Sequence, residues 1–248
     1  MSTPWRIPRT LLSRWDSWLL ATVGATLGFV VVVLLVLLGF PPVRWLDATM
    51  VSLAHGWFDD QPVAVDVLQV VQWITHPWVL RLAGLIAAVV LYRRGEYRLS
   101  AWLATVTALS WPIEVLAKLV IGRPRPDEAF EHIAGFALPS GHALTSMIVI
   151  GAFLVLARRR PGAPRRRLVA WCLAGAALTI IGLDRVLLVV HQVTDVVAGW
   201  LLGIAVLGLC GLFFGLAQPI TRPGSGNRPR LAVVLNPTKV EDVDDFER

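Results

Sequence analysis

Charge is scarce in this 248-residue chain: Asp, Glu, Lys and Arg make up 16% of it, against about a quarter in an ordinary soluble domain. With 56% apolar residues and a mean hydropathy of +0.65, that scarcity excludes a disordered chain and argues against a soluble enzyme. Lysine is nearly missing. Of 23 basic residues only Lys118 and Lys239 are lysines, and against that bias Lys118 stands out. Cysteine numbers two, Cys172 and Cys210. Both fall inside apolar runs with no ligand spacing, which argues against a disulfide framework or a zinc site and reads them as small membrane-facing residues. What the chain does have is long apolar runs separated by short arginine clusters, the pattern of one polytopic membrane unit.

A net charge of +6 and a pI near 10.3 do not indicate a nucleic-acid partner, because the arginines are dispersed over short loops rather than gathered on one face. Residues 1–18 place Arg6, Arg9 and Arg14 among Trp5, Leu11, Trp15 and Trp18, and read as a cytoplasmic interfacial arm. The following run, 19–40, is too long for a signal-peptide core and lacks a small-x-small cleavage site after it. About 20 apolar residues are needed per crossing, which gives further spans at 70–92, 99–120, 141–157, 168–188 and 193–216. Lipid offers the backbone no hydrogen-bond partners, so these six crossings are helices. Pro77 and Pro112 are expected to kink the second and third.

Orientation follows from the arginines beside the spans. Arg93, Arg94 and Arg98, Arg158–Arg160 with Arg165–Arg167, and Arg222, Arg228 and Arg230 share a side with the N-terminal cluster, while the opposite loops carry only Arg44, Arg123 and Arg125 and hold Asp47, Asp59, Asp60, Asp66, Asp127, Glu128 and Glu131. Both termini are therefore expected in the cytoplasm. The cluster from Arg158 to Arg167 reads first as a topology determinant, with lipid-headgroup binding as the second reading. Gly24/Gly28, Gly199/Gly203 and Gly211/Gly215 have small-xxx-small spacing suited to close helix approach; they do not establish a dimer, and the oligomeric state stays open. Residues 218–230 have linker composition, and 231–248 combine a short apolar run with an acidic end.

Ionisable residues inside spans are costly and usually face a functional interior. Here they gather at one depth: Lys118 and Arg125 beyond span three, Ser140 and His142 at the start of span four, Arg185 at the end of span five, His191 and Asp195 at the start of span six. Three cations around one point require an anion with several oxygens, as a phosphate supplies. Pro139-Ser140-Gly141-His142 sets backbone amides at a helix N-terminus, an anion-binding position. His191 and Asp195, four apart, are expected on one helix face, where the carboxylate can hold an imidazole nitrogen. Taken singly, each residue has a structural reading as a headgroup contact, a helix end or a plain hydrogen bond.

Together, Lys118-x6-Arg125-Pro126, Pro139-Ser140-Gly141-His142 and Arg185-x5-His191-x3-Asp195 resemble the three-part signature of the type 2 phosphatidic acid phosphatases, the PAP2 or lipid phosphate phosphatase superfamily. The resemblance implies an all-α, six-transmembrane bundle over 19–217. It implies phosphate binding by Lys118, Arg125 and Arg185, with Ser140 and Gly141 adding hydrogen bonds. His191 would be the nucleophile, Asp195 its orienting partner and His142 the acid for the leaving oxygen, with no metal or other cofactor. One position departs: the pattern usually has serine before the third arginine, and this chain has Asp184. That carboxylate either turns away, onto Arg185 or another cation, or alters activity. Glu114, four residues before Lys118, suits an ion pair with it, either functional or merely structural.

The tail from Ala232 to Val240 resembles the start of a diacylglycerol-kinase-like domain without the glycine-rich segment that would follow, which leaves a fused or associated kinase domain as one reading and a plain tail as another. The resulting expectation is a lipid phosphate phosphatase of the cell membrane, working at the extracytoplasmic face through phosphohistidine. A prenyl diphosphate of undecaprenyl or decaprenyl type comes first as substrate, then phosphatidate and phosphatidylglycerophosphate. The rival is a non-catalytic lipid-headgroup binder or transporter, which needs the cations but has no use for His142, His191 and Asp195 together.

Overall fold

The computed structural model describes residues 9–127, 129–130, 134–159 and 163–216, with side chains from residue 16. Residues 1–8, the linker 218–230 and the tail 231–248, with its kinase-like resemblance, lie outside the described residues. Within them the chain is all helix: α1 (Arg9–Leu37), α2 (Pro41–Phe58), α3 (Pro62–Ile74), α4 (Pro77–Arg93), α5 (Tyr97–Ile121), α6 (Gly141–Arg159), α7 (Pro164–Leu187) and α8 (Val193–Phe213). Among the described residues six stretches are long and apolar enough to cross a membrane: Asp16–Leu37, Pro62–Arg93, Tyr97–Ile121, Gly141–Arg159, Pro164–Leu187 and Val193–Phe213.

Helix α1 starts at Arg9, so the second half of the expected arm is helical and continuous with the first span, since no proline or glycine interrupts 9–23 and Trp18 and Thr22 pack on α8: a Cβ on Gly211 would lie 2.2 Å from the Trp18 ring, and one on Gly208 2.0 Å from Thr22 Oγ1. Two features depart from the sequence reading. Helix α2 is a whole element that hydropathy does not signal. Pro41 and Pro42 open it, a position that tolerates the missing N–H, and its mixture of Arg44, Asp47 and His55 lowers its apolar content. The second span is two helices. The chain breaks at Thr75 and His76, and Pro77 starts α4 rather than kinking a continuous helix, with His76 Nδ1 accepting from the Trp78 amide at 3.3 Å. Helix α5, by contrast, runs through Pro112.

The glycine spacing is used within the chain. A Cβ on Gly199 of α8 would lie 2.8 Å from the Ser140 carbonyl oxygen, and one on Gly203 would lie 2.8 Å from Met147 Cβ. Small residues there let the N-terminal ends of α6 and α8 touch, and the Ser140 amide donates to the Asp195 carbonyl at 3.0 Å. Away from this junction, Trp102, Leu103, Val106, Leu144, Ile148 and Leu207 form the apolar core shared by α5, α6 and α8. Cys210 belongs to that core and is buried, a correction to the membrane-facing placement; Cys172 is exposed.

Candidate active site

The start of α4, the ends of α5 and α7 and the starts of α6 and α8 meet at one end of the bundle, around a cavity of about 360 Å³. Lys118, Arg125, Gly141, His142, Arg185 and His191 all line it. Ser140 and Asp195 stand just behind, both fully buried. Trp73, Trp78 and Trp111 also line the cavity while being 71%, 58% and 51% exposed, so its rim is aromatic.

At the start of α6 the first turn presents amides that no preceding helical turn can occupy. Ser140 Oγ and His142 Nε2 are buried without a hydrogen-bond partner among the described residues. The Gln72 backbone carbonyl holds the His142 imidazole. Gly141 has no room for a side chain: a Cβ there would sit 2.1 Å from Glu114 Oε1. That carboxylate accepts from Lys118 Nζ at 2.8 Å through Oε1 and from Arg81 Nη2 at 2.7 Å through Oε2. Arg81 is fixed in turn by Ser110 Oγ at 3.0 Å and Thr145 Oγ1 at 3.1 Å, over the Trp78 ring. Glu114 thus ties α4 to α5 beneath the first turn of α6.

Arg185 and Asp184 are both buried, and the Asp184 carboxylate turns onto its neighbour: Oδ2 accepts from Arg185 Nε at 2.9 Å and from Nη2. The Gln72 side-chain oxygen accepts from Arg185 Nη1. Gln72 therefore braces two expected site residues at once, Arg185 with its side chain and His142 with its carbonyl.

His191 and Asp195 are brought together by a helix cap, which corrects the shared-face reading. Helix α8 begins at Val193, so His191 lies in the preceding turn and Asp195 is the third helical residue, its Oδ2 accepting from the Gln192 amide at 2.9 Å. His191 Nδ1 stands 3.5 Å from that same oxygen, longer than a good hydrogen bond. The turn includes Val189 at φ 55°, a strained value for a β-branched residue. Burial pushes the His191 imidazole down to about 4, Asp195 opposing and Arg125 assisting, so the ring is neutral near pH 7. Arg125 Nη1 lies 3.2 Å from His191 Nε2 and donates to the Val190 carbonyl at 2.6 Å.

The other Asp195 oxygen accepts from Arg123 Nη1 at 2.5 Å, while Arg123 Nη2 donates to Asp47 Oδ2 at 2.8 Å. Thr194 joins them, donating its hydroxyl to Asp47 Oδ2 at 2.7 Å. Sequence reasoning missed Arg123, Arg81, Gln72 and Asp47. Arg81 and Gln72 carry the signal of polar residues inside an apolar run, whereas Asp47 lies on α2, a helix without a hydropathy signal. Among the described residues no three His, Cys, Asp or Glu side chains cluster as a metal would require.

These features define an integral-membrane helical bundle with a cationic, histidine-bearing cavity at one end. Residues 99–218 match the model of the PAP2 superfamily, and over them the chain belongs to that superfamily. The chain is 38% identical over 88 residues to phosphatidylglycerophosphatase B of Bacillus subtilis, covering 34% of this chain and 42% of that protein. It is 34% identical over 137 residues to lipid A 1-phosphatase of Rhizobium etli, covering 48% of this chain and 55% of that one. The matches thus span about half the length of these curated relatives. A crystal structure of a transmembrane PAP2-type phosphatidylglycerolphosphate phosphatase from Bacillus subtilis superposes with a TM-score of 0.69 at 22% identity, over 81% of this chain and 99% of that one, and shows the shared fold.

Proposed function

We propose that this chain is a lipid phosphate phosphatase that acts at the extracytoplasmic leaflet through a phosphohistidine on His191. The observation that carries the reading is the single cavity lined by Lys118, Arg125, Gly141, His142, Arg185 and His191 behind an exposed tryptophan rim. Cations suit a phosphate, and the rim suits a headgroup whose tail stays in the bilayer. At this end of the bundle Arg81, Lys118, Arg123, Arg125 and Arg185 against Asp47, Glu114, Asp184 and Asp195 leave an excess of one positive charge, which favours an anion.

In the first step neutral His191 Nε2 forms a bond to phosphorus as the bond from phosphorus to the lipid oxygen breaks. The leaving oxygen takes the electron pair and a proton from protonated His142. In the second, water attacks phosphorus, His142 takes its proton and the bond to Nε2 breaks, releasing phosphate and restoring both histidines. Arg125, Arg185 and Lys118 stabilise the equatorial oxygens throughout.

The substrates proposed first are a prenyl diphosphate or phosphatidate. Phosphatidylglycerophosphate is the second reading, favoured by the names of a curated relative and of the structural neighbour. The test is phosphate release by purified protein in detergent from each of these lipids, repeated in right-side-out vesicles with an impermeant substrate. Release by wild type and none by His191→Ala supports the reading. Binding of all three lipids without release favours the transporter or headgroup-binding alternative, and release confined to inverted vesicles contradicts the orientation.

A further inference from the structure

At the end of the bundle opposite the catalytic cavity, α4 and α7 both lie against α6 and enclose a groove of about 530 Å³. Its wall includes Leu91, Phe153 and Leu156, and its mouth carries Arg94, Arg166 and Arg167. Arg94 caps the C-terminus of α4, while Arg166 and Arg167 lie in the first turn of α7. The side chains of these three arginines make no ion pair or hydrogen bond among the described residues, and the α7 N-cap, Ala163, has no side-chain oxygen to offer.

All three arginines are exposed, so their charge stands open at the mouth of the groove. Two arginines at a helix N-terminus add like charge to the positive end of the helix dipole, which an anion would offset. Phe153 lies six residues before Arg159, so the groove runs about 9 Å further into the apolar layer at 1.5 Å per helical residue. A small soluble anion would satisfy the mouth and leave the wall bare. Arginines that only fix topology need no groove, and of the pair Arg93 and Arg94 only Arg94 lines this one.

We propose that this groove is a binding site for an anionic phospholipid of the leaflet opposite the catalytic cavity, with its phosphate on Arg94, Arg166 and Arg167 and an acyl chain against α6. The site is separate from catalysis and does not depend on the chain being a phosphatase. Basic crevices between transmembrane helices suit such headgroups on chemical grounds.

The test is native mass spectrometry of the purified full chain titrated with palmitoyl-oleoyl phosphatidylglycerol, and with phosphatidylcholine carrying the same chains. Wild type should retain phosphatidylglycerol about tenfold more strongly, a factor expected when a few arginines act at close range. R94Q/R166Q/R167Q should lose that preference. R93Q/R165Q, which removes two neighbouring cations outside the groove, should keep it, and both variants should match wild type in phosphate release and in elution as a single species. If the triple variant does not fold, Arg166→Gln alone should lower the preference about threefold. Equal retention of the two lipids by wild type, or equal loss in the groove and control variants, would overturn the proposal, the second outcome pointing to general surface charge.

Discussion

Arg125 Nη1 sits 3.2 Å from His191 Nε2, covering the nitrogen proposed to attack phosphorus. An arginine has only donors, so this contact uses the Nε2 lone pair and puts the ring proton on Nδ1, on the side of Asp195. A substrate phosphate is a stronger acceptor than a neutral imidazole, and on binding it would draw the guanidinium away and uncover Nε2. Arg125→Gln is therefore expected to lower kcat/KM by about 10² to 10³. Arg125→Lys should recover only part, since it keeps the charge and loses the fork. Steady-state kinetics on a short-chain lipid phosphate decides, and an unimpaired Arg125→Gln would contradict this role.

The buried His191 imidazole, pushed down to about 4, predicts the acid limb of the pH profile. Only the neutral ring is a nucleophile, and it stays neutral as pH falls until that value is reached. Once corrected for the ionisation of the substrate and of the proposed acid His142, kcat/KM should show no His191 limb between pH 7 and 5 and should fall about tenfold per unit below pH 4. A limb near the ordinary histidine value of about 6.5 would mean that the ring is more hydrated during turnover than its burial implies.

Asp184 occupies the position where the family pattern usually has serine, and its carboxylate is turned onto Arg185. Both Asp184→Ser and Asp184→Asn should therefore lower kcat/KM, on the order of tenfold, because each releases a buried arginine from its charged partner. The loss should be similar for mono- and diphosphate substrates. A clear gain for Asp184→Ser on a diphosphate would show instead that the carboxylate repels the substrate.

Arg123 is held between two buried carboxylates, Asp47 and Asp195. Its removal leaves both without their cation, so Arg123→Ala should destabilise the fold by about 3 to 5 kcal/mol, read as an early thermal transition in detergent. Asp47→Asn keeps the shape and should cost less stability. It should lower kcat with little change in KM, since it acts on the proposed catalytic groups only through Arg123 and Asp195. A change confined to KM would place Asp47 on the substrate instead.

The sequence made the spanning helices and the expected site residues legible because both rest on conspicuous signals: apolar runs of membrane length, and charges where lipid disfavours them. The cavity does gather Lys118, Arg125, Gly141, His142, Arg185 and His191. What stayed hidden depends on pairing across the chain. Arg123 differs from Arg125 only through the carboxylates that reach it, one of them from α2, 76 residues away in sequence. Helix α2 itself gives no hydropathy signal. The pair His191 and Asp195 has helical spacing, yet a cap rather than a helix face joins them, a difference set by where α8 begins. Glu114 shows the opposite case, since its i, i+4 spacing correctly anticipates the contact with Lys118.

The central claim is a covalent phosphoryl group on His191, and it is tested most directly by acid-labile trapping. Purified protein is mixed with a lipid phosphate labelled in its terminal phosphorus, denatured with base within the turnover time to preserve phosphohistidine, and digested for mass spectrometry. Label is expected on His191 in wild type and none in His191→Ala; in His142→Ala, which lacks both the acid of the first step and the base of the second, label on His191 should form more slowly and, once formed, be lost more slowly. Label on another side chain, or full turnover by His191→Ala, would contradict the claim.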